Sequence, residues 1–455
     1  MSLQIVVLAA GKGQRMHSAL PKVLHLLAGK PLLAHVLETA LAVSTDRHPI
    51  VIYGHLGDQV KAVLSHFSVQ WVEQTEQYGT GHALLQALPY INDADQVLVL
   101  SGDVPLMRAE TVKALIEETP AGAVGMLTAV LDNPKGYGRV VRHASGVVQR
   151  VVEEKDANEA ERLIQEINAG VYLAPAAFLK TCLPLLNKDN AQGEYYLPDM
   201  IVAAIKEKMT IVTVQPACVS EIKGVNDRVQ LSACERLYQR QLAVSLMKQG
   251  VSIADPDRID IRGEVEIASD VYIDVNVVLE GNVRIGTGCH IGAHSVIRES
   301  VLAQDVAVRS HSVIEGAEIG AACVIGPFAR IRPGTVLAAE VHIGNFVEIK
   351  QSQIGLGSKV NHLSYIGDSD VGCAVNIGAG TITCNYDGAH KHKTVIGDKV
   401  HIGSGTQLVA PIMVGEGATI GAGSTLVVDA PAYALTLTHQ LSQRSIEGWV
   451  RPRKK

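Results

Sequence analysis

Short apolar runs alternate with helical patterns through the first half of the chain. Residues 4–10 read as a strand and residues 31–43 as a helix, and further apolar runs follow at residues 50–53 and 97–100. Such alternation predicts a mostly parallel sheet with helices on its faces, a layout in which ligands bind beyond the carboxyl ends of the strands. Between the halves, Val229, Ala233, Leu237, Val244 and Met247 recur at spacings suited to one helical face, and Gly250 supplies a stop. A connecting helix is therefore expected over residues 227–250.

The second half follows a different rule. Ile267, Ile273, Leu279, Ile285, Ile291 and Ile297 fall six residues apart; after an irregular stretch the beat returns at Ile319, Ile325, Ile331, Leu337, Ile343 and Ile349. It resumes after short steps at Ile354, Val360 and Ile366, then at Val371 and Ile377, and ends with Ile396, Ile402, Leu408, Val414, Ile420 and Leu426. Many of these aliphatics precede glycine, as at Gly320, Gly344, Gly378 and Gly403. A six-residue period suits neither a heptad coil nor an amphipathic helix. It predicts a parallel β-helix in which each short strand points one aliphatic inward and small residues turn the chain to the next face, with about 18 residues per coil and roughly nine coils.

With 455 residues the chain exceeds what one hydrophobic core usually organises. Four segments are expected: residues 1–226, the connector 227–250, the β-helix 251–437 and a tail 438–455. The net charge of -6 leaves no broad basic surface for nucleic acid, and the basic end with Arg451, Arg453, Lys454 and Lys455 reads as solvated. Seven scattered cysteines without a Cys-x-x-Cys pair argue against a disulfide framework or a zinc site. The opening segment lacks the pattern of a secretion signal and nothing resembles a membrane span, so the expected compartment is a reducing cytoplasm.

From the end of the first strand run Leu8, Ala9, Ala10, Gly11, Lys12, Gly13, Gln14, Arg15 and Met16, then Pro21-Lys22. Glycines let backbone N–H groups approach phosphate oxygens, and Arg15 and Lys22 add positive charge. The run is no P-loop, and Met16 occupies the third glycine position of a dinucleotide fingerprint. On their own, Gly11 and Gly13 also fit an ordinary turn. Together with Gln74, Gly79-Thr80-Gly81, Ser101-Gly102-Asp103, Gly136-Tyr137-Gly138-Arg139, Glu153, Asn168-Ala169-Gly170, Glu194-Tyr195-Tyr196 and Gly224-Val225-Asn226, the run resembles the sugar-phosphate nucleotidyltransferases, with their α/β Rossmann-like domain.

That resemblance implies a UDP-sugar site. Leu8, Ala9, Gly11, Gln74, Gly79 and Thr80 would hold the uridine nucleotide, Gly138, Glu153, Asn168 and Asn226 the amino sugar, and Ala10, Lys22, Ser101, Gly102 and Asp103 would complete the UDP-sugar set. It also implies Arg15 and Lys22 as charge stabilisers, and Asp103 and Asn226 as ligands of a magnesium ion. Asp103 follows a strand, where an aspartate is by itself more often a turn residue.

In the second half the polar segments decide between a scaffold and a catalyst. Arg330 to Gly334 and Gly344 to Lys350 place cations on the coils; Asn361-His362-Leu363-Ser364-Tyr365 and Asn376 to Gly380 follow. Residues 383–394 break the beat and are expected to leave the prism as a loop. Most of the 17 histidines need no role; His362 gains one from its context, since an imidazole accepts the proton of an attacking amine. His390 and His392 are read as solvent-exposed.

The repeat resembles the left-handed parallel β-helix of hexapeptide acyltransferases, which are usually trimers. End to end, the chain resembles the bifunctional N-acetylglucosamine-1-phosphate uridylyltransferases and glucosamine-1-phosphate N-acetyltransferases. The resemblance implies acetyl transfer from acetyl-CoA to glucosamine 1-phosphate, then uridylyl transfer from UTP with release of pyrophosphate, feeding peptidoglycan and lipopolysaccharide precursors. It implies His362 as general base, Arg332, Lys350 and Lys391 on the sugar phosphate, and Tyr365 and Asn376 around the sugar. Asn385 lies where sugar and acetyl-CoA meet, and Ala379, Tyr386, Ser404, Ala422 and His439 fall along the acetyl-CoA site. Two positions depart from the family pattern: His439 stands where an arginine is usual, and Ser101 where an aromatic residue is common. A single-activity pyrophosphorylase with a regulatory β-helix, and a non-catalytic scaffold, are the competing readings. Lys22, Asp103, Asn226 and His362 together speak against the scaffold.

Overall fold

The computed structural model describes residues 2–43, 46–54 and 56–438. The chain forms two compact units, Met1–Tyr238 and Gln239–Lys455. Among the described residues no helix is long and apolar enough to cross a membrane.

The first unit is built on a nine-stranded sheet. Its strands are β1 (Leu3–Ala9), β2 (Ile50–Tyr53), β3 (Gln70–Glu73), β4 (Gln96–Ser101), β5 (Val124–Val130), β6 (Arg139–Arg142), β7 (Val148–Val152), β8 (Glu166–Pro175) and β9 (Ile211–Val214). The order is β9-β5-β8-β4-β1-β2-β3, with the β6/β7 hairpin attached to β8. β8 runs antiparallel to β4 and β5, whereas β1 is parallel to both its neighbours.

β1 and β4 are continuous aliphatic runs because both of their faces are covered. One face packs on Leu84, Phe178 and Met200, the other on Leu33, Leu37 and Leu115. Leu8 pairs in register with Ser101, so the chain leaves β1 and β4 side by side at their carboxyl ends. The glycine turn and Asp103 meet there.

The second unit is three parallel sheets of eleven, ten and nine short strands. Each inward position stacks on its equivalent one coil later: Ile273, Ile291, Val308, Ile325, Ile343, Val360 and Ile377 form one such column, and none is more than 3% exposed. Every coil buries three such side chains, each of which stabilises the fold by roughly 1.5–3 kcal/mol.

The stretch after Ile297 that looks irregular in sequence is regular in structure. Leu302, Val308, Ile314 and Ile319 continue the three columns. The beat is obscured because two corners are one residue shorter, and Glu299 (φ 45°) and Gly316 (φ 55°) turn them in the left-handed region.

Glycine after the inward aliphatic reflects the closeness of neighbouring coils. A Cβ on Gly344 would lie 1.9 Å from the carbonyl oxygen of Asn361. Gly344→Ala is therefore expected to destabilise the β-helix unit by about 1–3 kcal/mol. A denaturant midpoint equal to that of the parent chain would contradict such tight stacking.

A helix spans Arg228–Lys248, but the stripe read from sequence is not its buried face. Val229 is 79% exposed, whereas Cys234, Gln239, Ala243 and Leu246 are buried. The division between units falls inside the helix. Leu231, Cys234, Leu237 and Tyr238 pack in the first unit, and Leu242, Ala243 and Leu246 in the second, so no single period runs its length.

Candidate functional site

The first unit holds a cavity of about 630 Å³ at the carboxyl ends of β1 and β4. Leu8, Ala9, Ala10, Gly11, Arg15, Lys22, Gln74, Gly79, Thr80, Ser101, Asp103 and Asn226 line it. Lys12, Gln14 and Glu194, which belong to the sequence motifs but were given no role, line it too, as does Gln77, which was not singled out from sequence.

The glycine turn is shaped for an anion. Gly13 has φ 60°, and a Cβ there would lie 2.6 Å from Lys22 Cβ. Met16, in the third glycine position, is 1% exposed and anchors the turn. Among the described residues no protein acceptor meets the backbone N–H groups of residues 11–15, which leaves them for ligand oxygens.

Lys22 joins both metal-ligand candidates. Its Nζ lies 2.5 Å from Asp103 Oδ2 and 3.2 Å from Asn226 Oδ1. The two oxygens thus converge on one cationic position. Gly102 lies in the turn before Asp103, where a Cβ would approach Leu8 O and Ala9 Cβ to 3.1 Å.

Gly138, Glu153 and Asn168 form a second group. A Cβ on Gly138 would lie 3.2 Å from Glu153 Oε1, and Asn168 N donates to Gly138 O at 2.9 Å. The register of β8 slips between Asn168 and Tyr172. This bulge lets Asn168 Oδ1 accept from Gly170 N at 3.1 Å and carries Gly170 toward Ser101. Burial raises the Glu153 carboxyl above its usual range, and Asp156, Asp199 and Glu194 add to the effect.

In the second unit, coil stacking assembles a polar cluster. Arg332 Nη1 lies 2.8 Å from Glu348 Oε1, and Glu348 is the register partner of Tyr365. Lys350 Nζ is 3.6 Å from Asp368 Oδ2. Asn385 Nδ2 donates to Asp368 and lies 3.4 Å from the Tyr365 hydroxyl. The loop expected over residues 383–394 brings Lys391 beside Lys350, whose positive charge lowers the Lys391 pKa. Tyr386 bridges to Lys391, and its hydroxyl donates to Gly388 O at 2.6 Å.

His362 is exposed at the end of the strand Lys359–His362. Its Nδ1 lies 2.9 Å from Oδ1 of Asn345, its register partner one coil back. An acceptor at that atom fixes the proton on Nδ1 and leaves Nε2 free to act as a base. Sequence reasoning gave Asn345 no role, because the pair is adjacent only across coils. No hydrogen bond or ion pair joins His362 to the Arg332–Lys350 cluster among the described residues.

Further along the stack Asn376 Nδ2 lies 3.3 Å from His401 Nδ1. Ala379 O accepts from Gly405 N at 2.7 Å, and Ser404 O from Gly423 N at 2.8 Å. Ala422 packs against Gly403, where a Cβ would lie 2.5 Å from Ala422 N. Ala379, Ser404 and Ala422 therefore follow one another up successive coils. His439, with the rest of the tail, lies outside the described residues.

Known proteins match both units. Residues 5–192 match the MobA-like NTP transferase domain, residues 261–354 the GMPPB C-terminal domain and residues 393–427 the bacterial transferase hexapeptide (six repeats). Three curated relatives carry the name bifunctional protein GlmU. That of Nitrosospira multiformis is 54% identical over 100% of this chain and 98% of its own length. That of Azoarcus sp. is 53% identical over 99% of this chain and 100% of its own length. That of Acinetobacter baumannii (strain AYE) is 51% identical over 100% of this chain and 99% of its own length. With both units matched and relatives aligned from end to end, the chain belongs to the bifunctional GlmU family, joining a uridylyltransferase of UDP-N-acetylglucosamine synthesis to a left-handed β-helix acetyltransferase.

Proposed function

We propose that the cavity of the first unit performs uridylyl transfer and that the coil surface around His362 performs acetyl transfer, each with its own residues. In the first, a phosphate oxygen of N-acetylglucosamine 1-phosphate attacks the α-phosphorus of UTP and pyrophosphate leaves. The N–H groups of residues 11–15, with Arg15 and Lys22, stabilise the charge that develops. Leu8, Ala9, Ala10, Gly11, Gln74, Gly79, Thr80, Ser101 and Gly102 hold the nucleotide, and Gly138, Glu153, Asn168 and Asn226 the sugar.

Asp103 and Asn226 would hold magnesium. The observation that carries this assignment is the pair of oxygens drawn onto one Lys22 ammonium, which marks a cation position beside the phosphate turn. One carboxylate, a neutral oxygen and substrate phosphates suit that ion. When bound it would screen the phosphate charge that repels an incoming sugar phosphate.

In the second site the glucosamine amine attacks the thioester carbonyl of acetyl-CoA, His362 Nε2 takes the amine proton, and the CoA thiolate leaves. Arg332, Lys350 and Lys391 hold the sugar phosphate, Tyr365, Asn376 and Asn385 surround the sugar, and Ala379, Tyr386, Ser404 and Ala422 follow the acetyl-CoA. N–H or hydroxyl donors along that path stabilise the tetrahedral oxyanion.

The working form is a homotrimer in the cytoplasm. Phe328, Phe346 and Leu363, 47%, 57% and 62% exposed, follow one another along one corner of successive coils next to His362. Apolar exposure beside the proposed catalytic histidine supports a second copy covering that face.

The direct test supplies glucosamine 1-phosphate, acetyl-CoA, UTP and magnesium, and follows free thiol and pyrophosphate separately. Omitting acetyl-CoA stops both signals, whereas omitting UTP stops only pyrophosphate. Thiol release absent under all conditions would favour a regulatory β-helix. Asn345→Leu should lower kcat of acetyl transfer by about 10-fold with little change in KM, because the imidazole stays but its tautomer and orientation are no longer held. An unaltered kcat would remove Asn345 from the account.

A further inference from the structure

Gln74 lines the nucleotide cavity although it is only 2% exposed, and its hydrogen bonds determine which end of the amide faces the ligand. Nε2 lies 3.2 Å from Gly79 O and 2.9 Å from His82 Nδ1. A carbonyl oxygen only accepts, so the Gln74 atom facing Gly79 O must be the NH₂ group. Its second hydrogen then goes to His82 Nδ1, which must be the unprotonated nitrogen. The half-buried Gln86 amide lies 3.2 Å from both His82 Nε2 and His82 O; less buried than Gln74, it turns over to accept from Nε2–H and gives up its bond to the carbonyl.

The His82 ring is held in place. Tyr78 meets it edge-on with centroids 5.4 Å apart, and Tyr195 stacks at 6.2 Å. Both Gln74 N–H groups are thus used inside the protein. Among the described residues no donor reaches its Oε1.

We propose that His82 is a positioning residue for base selection: by accepting from Gln74 it holds the Gln74 oxygen toward the nucleobase, so that the site favours a base with a donor at N3. Uracil carries N3–H. Cytosine presents a lone pair at N3, which would face the fixed oxygen. A buried acceptor set against an acceptor discriminates strongly, because neither group is satisfied. The inference rests on the reading that Gln74 faces the uracil ring.

The experiment uses the full chain, with pyrophosphate release measured from UTP and from CTP in the presence of N-acetylglucosamine 1-phosphate and magnesium. His82→Phe keeps a ring but removes the acceptor; the UTP-over-CTP ratio of kcat/KM should fall about 10- to 100-fold, chiefly through KM. His82→Asn places a carbonyl oxygen near the Nδ1 position and should restore most of the ratio. A purely structural role for His82 would slow both nucleotides alike and leave the ratio unmoved.

Gln74→Ala separates the two levels of the reading. If it lowers the ratio and His82→Phe does not, the His82 inference is overturned and the uracil contact stands. If Gln74→Ala leaves the ratio unchanged, the uracil contact itself is wrong. Acetyl transfer by the same proteins reports an intact second unit. If His82→Phe unfolds the first unit, His82→Leu measured against His82→Asn gives the same comparison.

Discussion

Asp103→Ala should lower uridylyl transfer by about 10³-fold or more and leave acetyl transfer at its original rate. The substitution removes the only carboxylate of the proposed magnesium pair and leaves the neutral Asn226 oxygen alone. It also strips Lys22 of its 2.5 Å partner, so the ammonium is no longer held beside the phosphate turn. Charge stabilisation worth several kcal/mol disappears from the transition state, and each 1.36 kcal/mol is tenfold in rate. Every residue assigned to acetyl transfer belongs to the other compact unit. Pyrophosphate release and thiol release, measured on the same preparation, check the outcome. Loss of both activities in a folded protein would contradict separate sites.

The mirror result is expected for His362→Ala. Acetyl transfer should fall by about 10²- to 10⁴-fold, the range that general-base catalysis supplies. Uridylyl transfer from added N-acetylglucosamine 1-phosphate should be unchanged. The loss should sit in kcat, because Arg332 and Lys350, proposed to hold the phosphate, are bonded through Glu348 and Asp368, and among the described residues no hydrogen bond or ion pair joins them to the imidazole. A large rise in KM for glucosamine 1-phosphate with kcat intact would make His362 a binding residue.

The β-helix was legible because each inward side chain reports its own position: Ile273, Ile291 and Val308 lie a coil apart in sequence and stack in space. The shortened corners at Glu299 and Gly316 hid two turns of the same pattern, since a missing corner residue shifts the beat without altering the core. The glycine turn was legible from residue types. Its neighbour Gln77 was not, because lining a cavity leaves no period in the sequence.

Positioning residues were hidden for a related reason. Asn345 meets His362 only through coil stacking, and His82 acts through the proton it lacks, which spacing does not encode. The stripe on the helix Arg228–Lys248 misled because the two units bury different parts of it. Glu153 and Asn168 were reached by family resemblance; the β8 bulge that aims Asn168 has no signature in the surrounding apolar run.

Mixing the Asp103→Ala and His362→Ala proteins, with glucosamine 1-phosphate, acetyl-CoA, UTP and magnesium, tests the division of labour most directly. Neither protein alone should form UDP-N-acetylglucosamine at an appreciable rate. The mixture should form it, because one variant makes the acetylated sugar phosphate and the other consumes it. A mixture of two folded proteins that yields no product would contradict the account.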